Sequence, residues 1–313
     1  MSAKLAPLIS SKSFKVRVNN TMHQERLDRL SNAQRDRLAY IDFRLYFIGE
    51  VGRPDLTIRF GIAAAAATRD LALYRELAPQ NIEFDGSNKI YRIGKSFAPL
   101  FTHAPQRVLS AISNGFGDGV DSTFEPLLPC ESPTVLSSPQ MEVLAPLCRA
   151  IHAKKAVAIR YHSMSNGESE RVIVPFALVD TGLRWHVRAF DRKSGEFRDF
   201  VVTRIEAPNF CDEQPKANES PDNDIQWTRI VELDLVPHPR LKRPEIIKRD
   251  YMMKDGVISM RIRAAVVGYM LLRWGVDTSP DYNLKDEQYR LWLRNRQALC
   301  GVTNLVLAPG YEA

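Results

Sequence analysis

The 313-residue chain is 44% hydrophobic and 26% charged with a formal net charge of +6, the composition of a globular protein with room for two or three domains and a sizeable core. No apolar run approaches the ~18 residues a membrane-spanning helix needs, the N-terminus shows no secretory signal pattern, and Cys130, Cys148, Cys211 and Cys300 are too widely spaced for a C-x-x-C metal or redox pair. Membrane, secreted and zinc-ribbon classes are therefore set aside, and a cytoplasmic protein with reduced, mostly core thiols is expected. The excess charge is N-terminal: residues 1–100 hold 16 Lys/Arg against 10 Asp/Glu and the remainder 27 against 27, a footprint suited to phosphate neutralisation.

In chain order, the first twenty residues, MSAKLAPLISSKSFKVRVNN, are basic without helical periodicity and form an arm able to touch DNA. From Gln24 to Ile48 apolar residues recur at Leu27, Leu30, Leu38, Ile41, Leu45 and Ile48, with Ser31 or Asn32 placed to cap a second segment, so the stretch is one long helix or two short ones. In GRPDLTIRFGIAAAAATRDLALYRELAP, Gly52–Pro79, Pro54 suits the first turn of a short helix and Gly61 ends it. Ala63–Leu77 then forms a second helix whose Ala67, Leu71, Tyr74 and Ala78 face a core. Helix, tight glycine turn, helix is the helix-turn-helix pattern.

The opposite face of that second helix, Ala65, Ala66, Thr68, Arg69, Ala72 and Arg75, combines small residues that let a backbone approach a groove with donors for phosphates and base edges. An alanine-rich solvated surface has the same composition, because alanine favours helix. NIEFDGSNKIYRIG, Asn81–Gly94, reads as a hairpin with its tip at Asp85–Asn88, a wing that places Lys89 and Arg92 near a DNA backbone. Residues 1–96 are thus expected to be a winged helix-turn-helix domain with an arm, and Arg53, Thr68, Arg69, Arg75, Lys89 and Arg92 are its candidate DNA contacts.

Residues 97–142, rich in Pro, Gly, Ser and acid and containing SNGFGDGVDS, read as a connector with some local helix. Met141–Ala153 resumes helical spacing. Four or five short strands between Lys155 and Ile205 predict a small curved sheet or SH3-like barrel. In its hairpin GLRWHVRAFDRKSGEFRDFVVTRIE, Gly182–Glu206, alternation puts Arg184, His186 and Arg188 on one face and Trp185, Val187 and Ala189 on the other. After the DRKSG turn, Arg198, Phe200, Val202 and Arg204 share a parity. One face is expected to pack and the other to offer guanidinium groups to an anion, with Tyr161 for stacking and Arg171 nearby. Rim salt bridges to Asp191, Asp199 or Glu206 are the alternative for each arginine.

Further on, Ile225–Glu232 and Val257–Ala264 suit strands, Pro239–Tyr251 and Ala265–Trp274 suit helices, and Glu287–Leu299 carries Tyr289, Trp292, Leu293, Arg296 and Leu299 at helical spacing. This is a small α+β domain over 225–313, its aromatic stripe facing core or a dimer partner, with Arg261 and Arg263 in one parity able to reach a ligand on the barrel. His238, in PHP, is expected in a turn. The fold class is multidomain α+β. No P-loop, G-x-S-x-G, H-E-x-x-H or nuclease-like carboxylate pair is present, so no enzyme, cofactor or metal is expected.

Ala150–Ile205 resembles a WYL domain, a family of Sm-like barrels named for a Trp-Tyr-Leu tripeptide. Trp185 matches its first letter, while His186 and Val187 replace the other two; Tyr161, Arg171, Pro175, the RAFD after the tripeptide, and Arg198, Phe200 and Arg204 around TRI agree with the flanking pattern. With the winged helix ahead and Asp234–Leu284 behind, the chain resembles the defence-island regulators of the BrxR and CapW type. That resemblance implies a WYL domain over 143–210, a C-terminal extension domain, a homodimer on a palindromic double-stranded promoter site, and repression of antiphage genes until a ligand relieves it. It also implies that the barrel senses an anionic nucleotide or nucleic-acid ligand, through Tyr161, Arg171, Arg184, His186, Arg188, Arg198 and Arg204. A single-stranded nucleic-acid-binding protein using the barrel, or a ligand-dependent activator, are the alternatives.

Overall fold

The computed structural model describes residues 26–115, 126–131 and 136–312; the basic arm and residues 116–122 of the SNGFGDGVDS loop lie outside them. The chain forms two units, Met1–Ser132 and Pro133–Ala313.

The first unit is built on α1 (Asn32–Phe43), capped by Ser31, whose hydroxyl oxygen accepts from the Gln34 amide at 3.3 Å. The helix runs on through a π-helical stretch, Arg44–Ile48, to Gly49. After β1 (Glu50–Val51) comes α2 (Arg53–Phe60), where the Asp55 carboxylate accepts from the Gly52 amide at 2.6 Å and Gly61, at φ 61°, closes the helix. In α3 (Ala64–Leu77) the side predicted to pack does so: Ala67, Leu71 and Tyr74, with the cap residue Ala78, are fully buried against Leu38, Ile41, Leu45 and Leu56. Each such leucine or isoleucine contributes about 1.5–3 kcal/mol by leaving water.

β2 (Ile82–Asp85) and β3 (Ile90–Ile93) form the wing, and β1 joins them in the order β1-β3-β2. The Asp85 carboxylate organises the tip by accepting from Ser87, Asn88 and Arg92, bonds that hold its pKa below the usual carboxylate range. The segment after the wing packs back onto this unit. Phe97, Leu100 and Phe101 join its core, and Asn81 grips the Ala98 backbone by two bonds of 2.7 and 2.9 Å. Helix α4 (Pro105–Asn114) follows.

In the second unit α5 (Met141–Ala153) presents Val143, Leu147 and Ala150 to a five-stranded antiparallel sheet. Its strands are β4 (Val157–Ser163), β5 (Gly167–Asp180), β6 (Trp185–Asp191), β7 (Glu196–Val201) and β8 (Ile205–Phe210), in the order β7-β6-β5-β4-β8 of an Sm-like barrel. β5 pairs with β4 in its first half and β6 in its second, and the register shift at Pro175/Ala177 bends it where proline has no N–H to give.

The C-terminal domain follows a short helix, α6 (Ile225–Thr228). Its strands are β9 (Ile230–Pro237), β10 (Ile258–Arg263), β11 (Val276–Asp277) and β12 (Leu291–Leu293), in the order β10-β9-β12-β11, and its helices are α7 (Pro244–Asp250) and α8 (Val267–Trp274). Val231, Leu233 and Leu235 alternate into its core.

Three expectations are corrected, and the one for His238 holds with a burial added to it. Ile225 begins a helix rather than a strand, because the Asp224 carboxylate caps it by accepting from the Gln226 and Trp227 amides at 3.0 and 3.2 Å. Glu287–Leu299 is not a helix: Leu291 and Leu293 alternate inward as β12, and the Trp292 indole N–H donates to the Ser279 carbonyl at 2.9 Å. His238 does lie in a turn but is 1% exposed, its Nε2 3.1 Å from Asp277 and its Nδ1 accepting from the Arg240 amide. The cysteines are not core thiols, since Cys130, Cys148 and Cys300 are exposed and Cys211 is half-buried.

At the base of the wing, a Cβ on Gly94 would run into the Gln80 carbonyl, which is fixed backbone. Gly94→Ala is expected to cost about 1–3 kcal/mol by overpacking, read as a lowered midpoint in urea unfolding.

Candidate nucleic-acid interface and effector site

Helix α3 is pinned behind and open in front. Behind, the Asp70 carboxylate, 2% exposed, accepts from Arg37 Nε on α1 at 2.6 Å, and Tyr74 Oη donates to Asp42 Oδ1 at 2.5 Å. Burial and the Asp42 carboxylate push the Tyr74 hydroxyl far above its ordinary pKa, so it remains a donor. In front, Ala65, Thr68, Arg69, Ala72 and Arg75 are exposed. Arg69 and Arg75 make no ion pair among the described residues, whereas Thr68 turns its hydroxyl back to the Ala64 carbonyl at 2.9 Å.

Arg53 is exposed at the start of α2, and Lys89 is exposed at the wing tip with φ 54°. Arg92 is committed inside the wing, its Nε 3.0 Å from Asp85 and its Nη1 4.0 Å from Glu50. A rigid helix with small residues and guanidinium groups outward is a surface that can enter a duplex groove.

The barrel arginines do not share one open face. In β6 every residue from His186 to Asp191 is buried, and only Trp185, at 41%, is exposed. The reason is tertiary: Tyr269 of α8 and Asp224 at the cap of α6 meet the side that alternation assigns to solvent. Arg188, 5% exposed, gives Nε and Nη2 to Asp224 at 2.7 and 3.0 Å and Nη1 to Asp199 at 3.0 Å. Burial works against its charge, but the bonds to Asp224 and Asp199 outweigh it and its pKa rises.

Arg171 binds Asp191 at 2.5 Å and the Ser169 hydroxyl at 3.2 Å, at the far end of β6, about 17 Å along the strand from His186. Arg198 pairs with Glu196 at 2.7 Å on the surface. Tyr161 belongs to the core, its ring edge-on to Phe200 and its hydroxyl oxygen accepting from the Val201 amide. Arg261 pairs with Glu232, and Arg263 lies over the Trp227 ring at 4.6 Å while donating to its carbonyl.

What the fold does bring together is a cluster of polar and charged side chains around His186. Its ring lies 5.1 Å from that of Tyr269 on α8, whose hydroxyl donates to Asp199 Oδ2 at 3.1 Å. Burial and the Asp199 carboxylate push the Tyr269 hydroxyl up. Arg184 is exposed and Arg204 half-buried, and both act on His186 electrostatically; neither makes an ion pair among the described residues. His186 Nδ1 is buried without a close hydrogen bond among the described residues, and the Arg184 backbone is a polar neighbour of the ring. Two cations beside a buried imidazole suit an anionic group.

Sequence reasoning missed Tyr269 and Asp224. For Asp224 a signal existed, an Asp just ahead of IQW at a helix N-cap position; for Tyr269 none did, because its partners are far away in sequence.

Three family models match the chain: the BrxR transcriptional regulator winged helix-turn-helix domain over residues 33–113, the WYL domain over 142–209, and the BrxR transcriptional regulator C-terminal dimerization domain over 230–299. DNA-binding transcriptional repressor CapW of Escherichia coli strain KTE188 is 33% identical over 85% of this chain and 90% of its own. CapW of Pseudomonas aeruginosa is 30% identical over the same shares. CapW of Stenotrophomonas maltophilia is 34% identical over 76% of this chain and 82% of its own.

His186 is held neutral: burial lowers its pKa most, Arg184 and Arg204 add to this, and Asp199 opposes them. Its folded pKa therefore lies below an unfolded value of about 6.5, so its contribution to stability is present above that pH and is lost as pH falls. In urea unfolding between pH 7.5 and 5, His186→Phe is expected to flatten the acid-side slope by up to ~1.4 kcal/mol per pH unit.

Proposed function

The chain belongs to the BrxR and CapW family of winged-helix, WYL-domain transcriptional repressors, and on that footing we propose that it is a homodimeric repressor of an antiphage defence operon. It reads a palindromic promoter site in the cytoplasm and releases it when an anionic nucleotide or short oligonucleotide binds at Arg184 and Arg204 beside His186. The observation that carries the reading is the outward face of α3, where Arg69 and Arg75 stand exposed, without ion pairs among the described residues, on a helix whose other side is locked by Asp42 and Asp70. Dimerisation through the C-terminal domain sets two such helices against a two-fold symmetric site.

On the barrel, Arg184 and Arg204 are the candidate arginines left to meet a phosphate, since Arg171, Arg188 and Arg198 have carboxylate partners. Ligand binding regulates only if it favours one of two global states, and the contact of His186 with Tyr269 offers a route by which the C-terminal domain would sense occupancy.

Gel shift on the intergenic DNA upstream of the protein's own operon tests this directly. Arg69→Ala is expected to weaken binding by about 1–3 kcal/mol, roughly 5- to 150-fold, with folding intact; an unchanged shift would overturn the assignment of α3. The double variant Arg184→Ala/Arg204→Ala should hold operator affinity while losing any release caused by a 5′-phosphorylated oligothymidylate. If the barrel instead served a single-strand binder, preference for the duplex site would vanish as salt rises.

A further inference from the structure

The first unit contains a cavity of about 520 Å³ between α1, the end of α2 and the start of α4, a size within the range of small-molecule sites. Its apolar walls are aromatic: Tyr40 and Phe60 meet edge to face at 5.5 Å, and Phe101 lines it too. Arg59, its guanidinium 5.7 Å from the Phe60 ring centre, and the exposed Arg107 line it as well, against a single lining carboxylate, Asp36. Flat aromatic surfaces beside two guanidinium groups suit a planar ring carrying negative charge.

The wall of this cavity is connected to the helix that faces DNA. His103 lines it, and its Nε2 is 2.8 Å from Oδ2 of the fully buried Asp42. The same carboxylate accepts from Tyr74 Oη of α3 and from the Leu100 and Phe101 amides at 3.0 and 3.3 Å. A group that moved His103 or Phe101 would therefore disturb the acceptor that fixes Tyr74.

We propose that this cavity is a second effector site, distinct from the cluster around His186, for an aromatic anion of mononucleotide size, whose occupancy alters operator affinity through His103, Asp42 and Tyr74. A purine mononucleotide and an aromatic carboxylate share this chemistry.

The test is calorimetric titration of the full-length protein with adenosine 5′-monophosphate, indole-3-acetate and the neutral analogues adenosine and tryptophol. At least one anion should saturate one site per protomer below about 1 mM and bind roughly tenfold or more tighter than its neutral analogue. Which anion does so identifies the source. Arg107→Ala, at an exposed position, should erase that preference, and Ala111→Trp, which fills the cavity, should abolish binding. Arg184→Ala/Arg204→Ala should leave binding unchanged, which separates this site from the barrel.

Bound ligand should shift operator affinity at least about fivefold, and His103→Phe should bind ligand without that shift. The proposal is overturned if neither anion saturates, if Ala111→Trp or Arg107→Ala binds like wild type, if the barrel double variant loses binding, or if His103→Phe keeps the shift.

Discussion

A guanidinium group taken out of water has to be met by carboxylates, and the second unit is organised around one that is. Arg188 on β6 lies between Asp199 of the neighbouring strand and Asp224, which also caps α6. Removing either side would leave a buried charge without its partner, an error worth about 3–5 kcal/mol. The barrel, the segment leading to the C-terminal domain and helix α8 are thereby tied to one cation, because Tyr269 donates to the same Asp199. Arg192 repeats the device nearby, gripping Glu219 at 2.7 and 2.9 Å and Glu213 at 2.8 Å.

That arrangement divides the arginines by task. Arg188 and Arg192 hold the barrel to the segment that leads to the C-terminal domain, Arg171 and Arg198 are paired within the barrel, and Arg184 and Arg204, without ion pairs among the described residues, are left beside the buried imidazole of His186. The first unit follows the same logic. Asp42 and Asp70 absorb the polar groups behind α3, so the helix is stiff while Arg69 and Arg75 face outward. Rigidity behind a reading surface reduces the ordering cost of binding.

Legibility in the sequence followed the range of the forces involved. The helix-turn-helix was readable because its determinants are local: Pro54 and Gly61 bracket α2, and the spacing of Ala67, Leu71 and Tyr74 marks the packed side of α3. The hairpin arginines were readable as a pattern but not as a surface. Alternation assigns Arg188 to solvent, yet a covering domain far along the chain buries it, and no local signal records that cover. Glu287–Leu299 failed for a related reason: a three-residue strand, Leu291–Leu293, is too short to show its period, so the spacing of Tyr289, Trp292 and Leu293 looked helical. The thiols were misplaced because composition says nothing about which side of a helix or turn a cysteine takes.

The claim on which this account rests is that Arg188 and Asp224 are energetically coupled across the boundary between barrel and C-terminal domain. A double-mutant cycle of Arg188→Ala and Asp224→Asn, the latter keeping the helix cap, measures it by urea unfolding at fixed protomer concentration. A coupling energy of roughly 2 kcal/mol or more is expected; a value below about 0.5 kcal/mol, the range of independent sites, would contradict it.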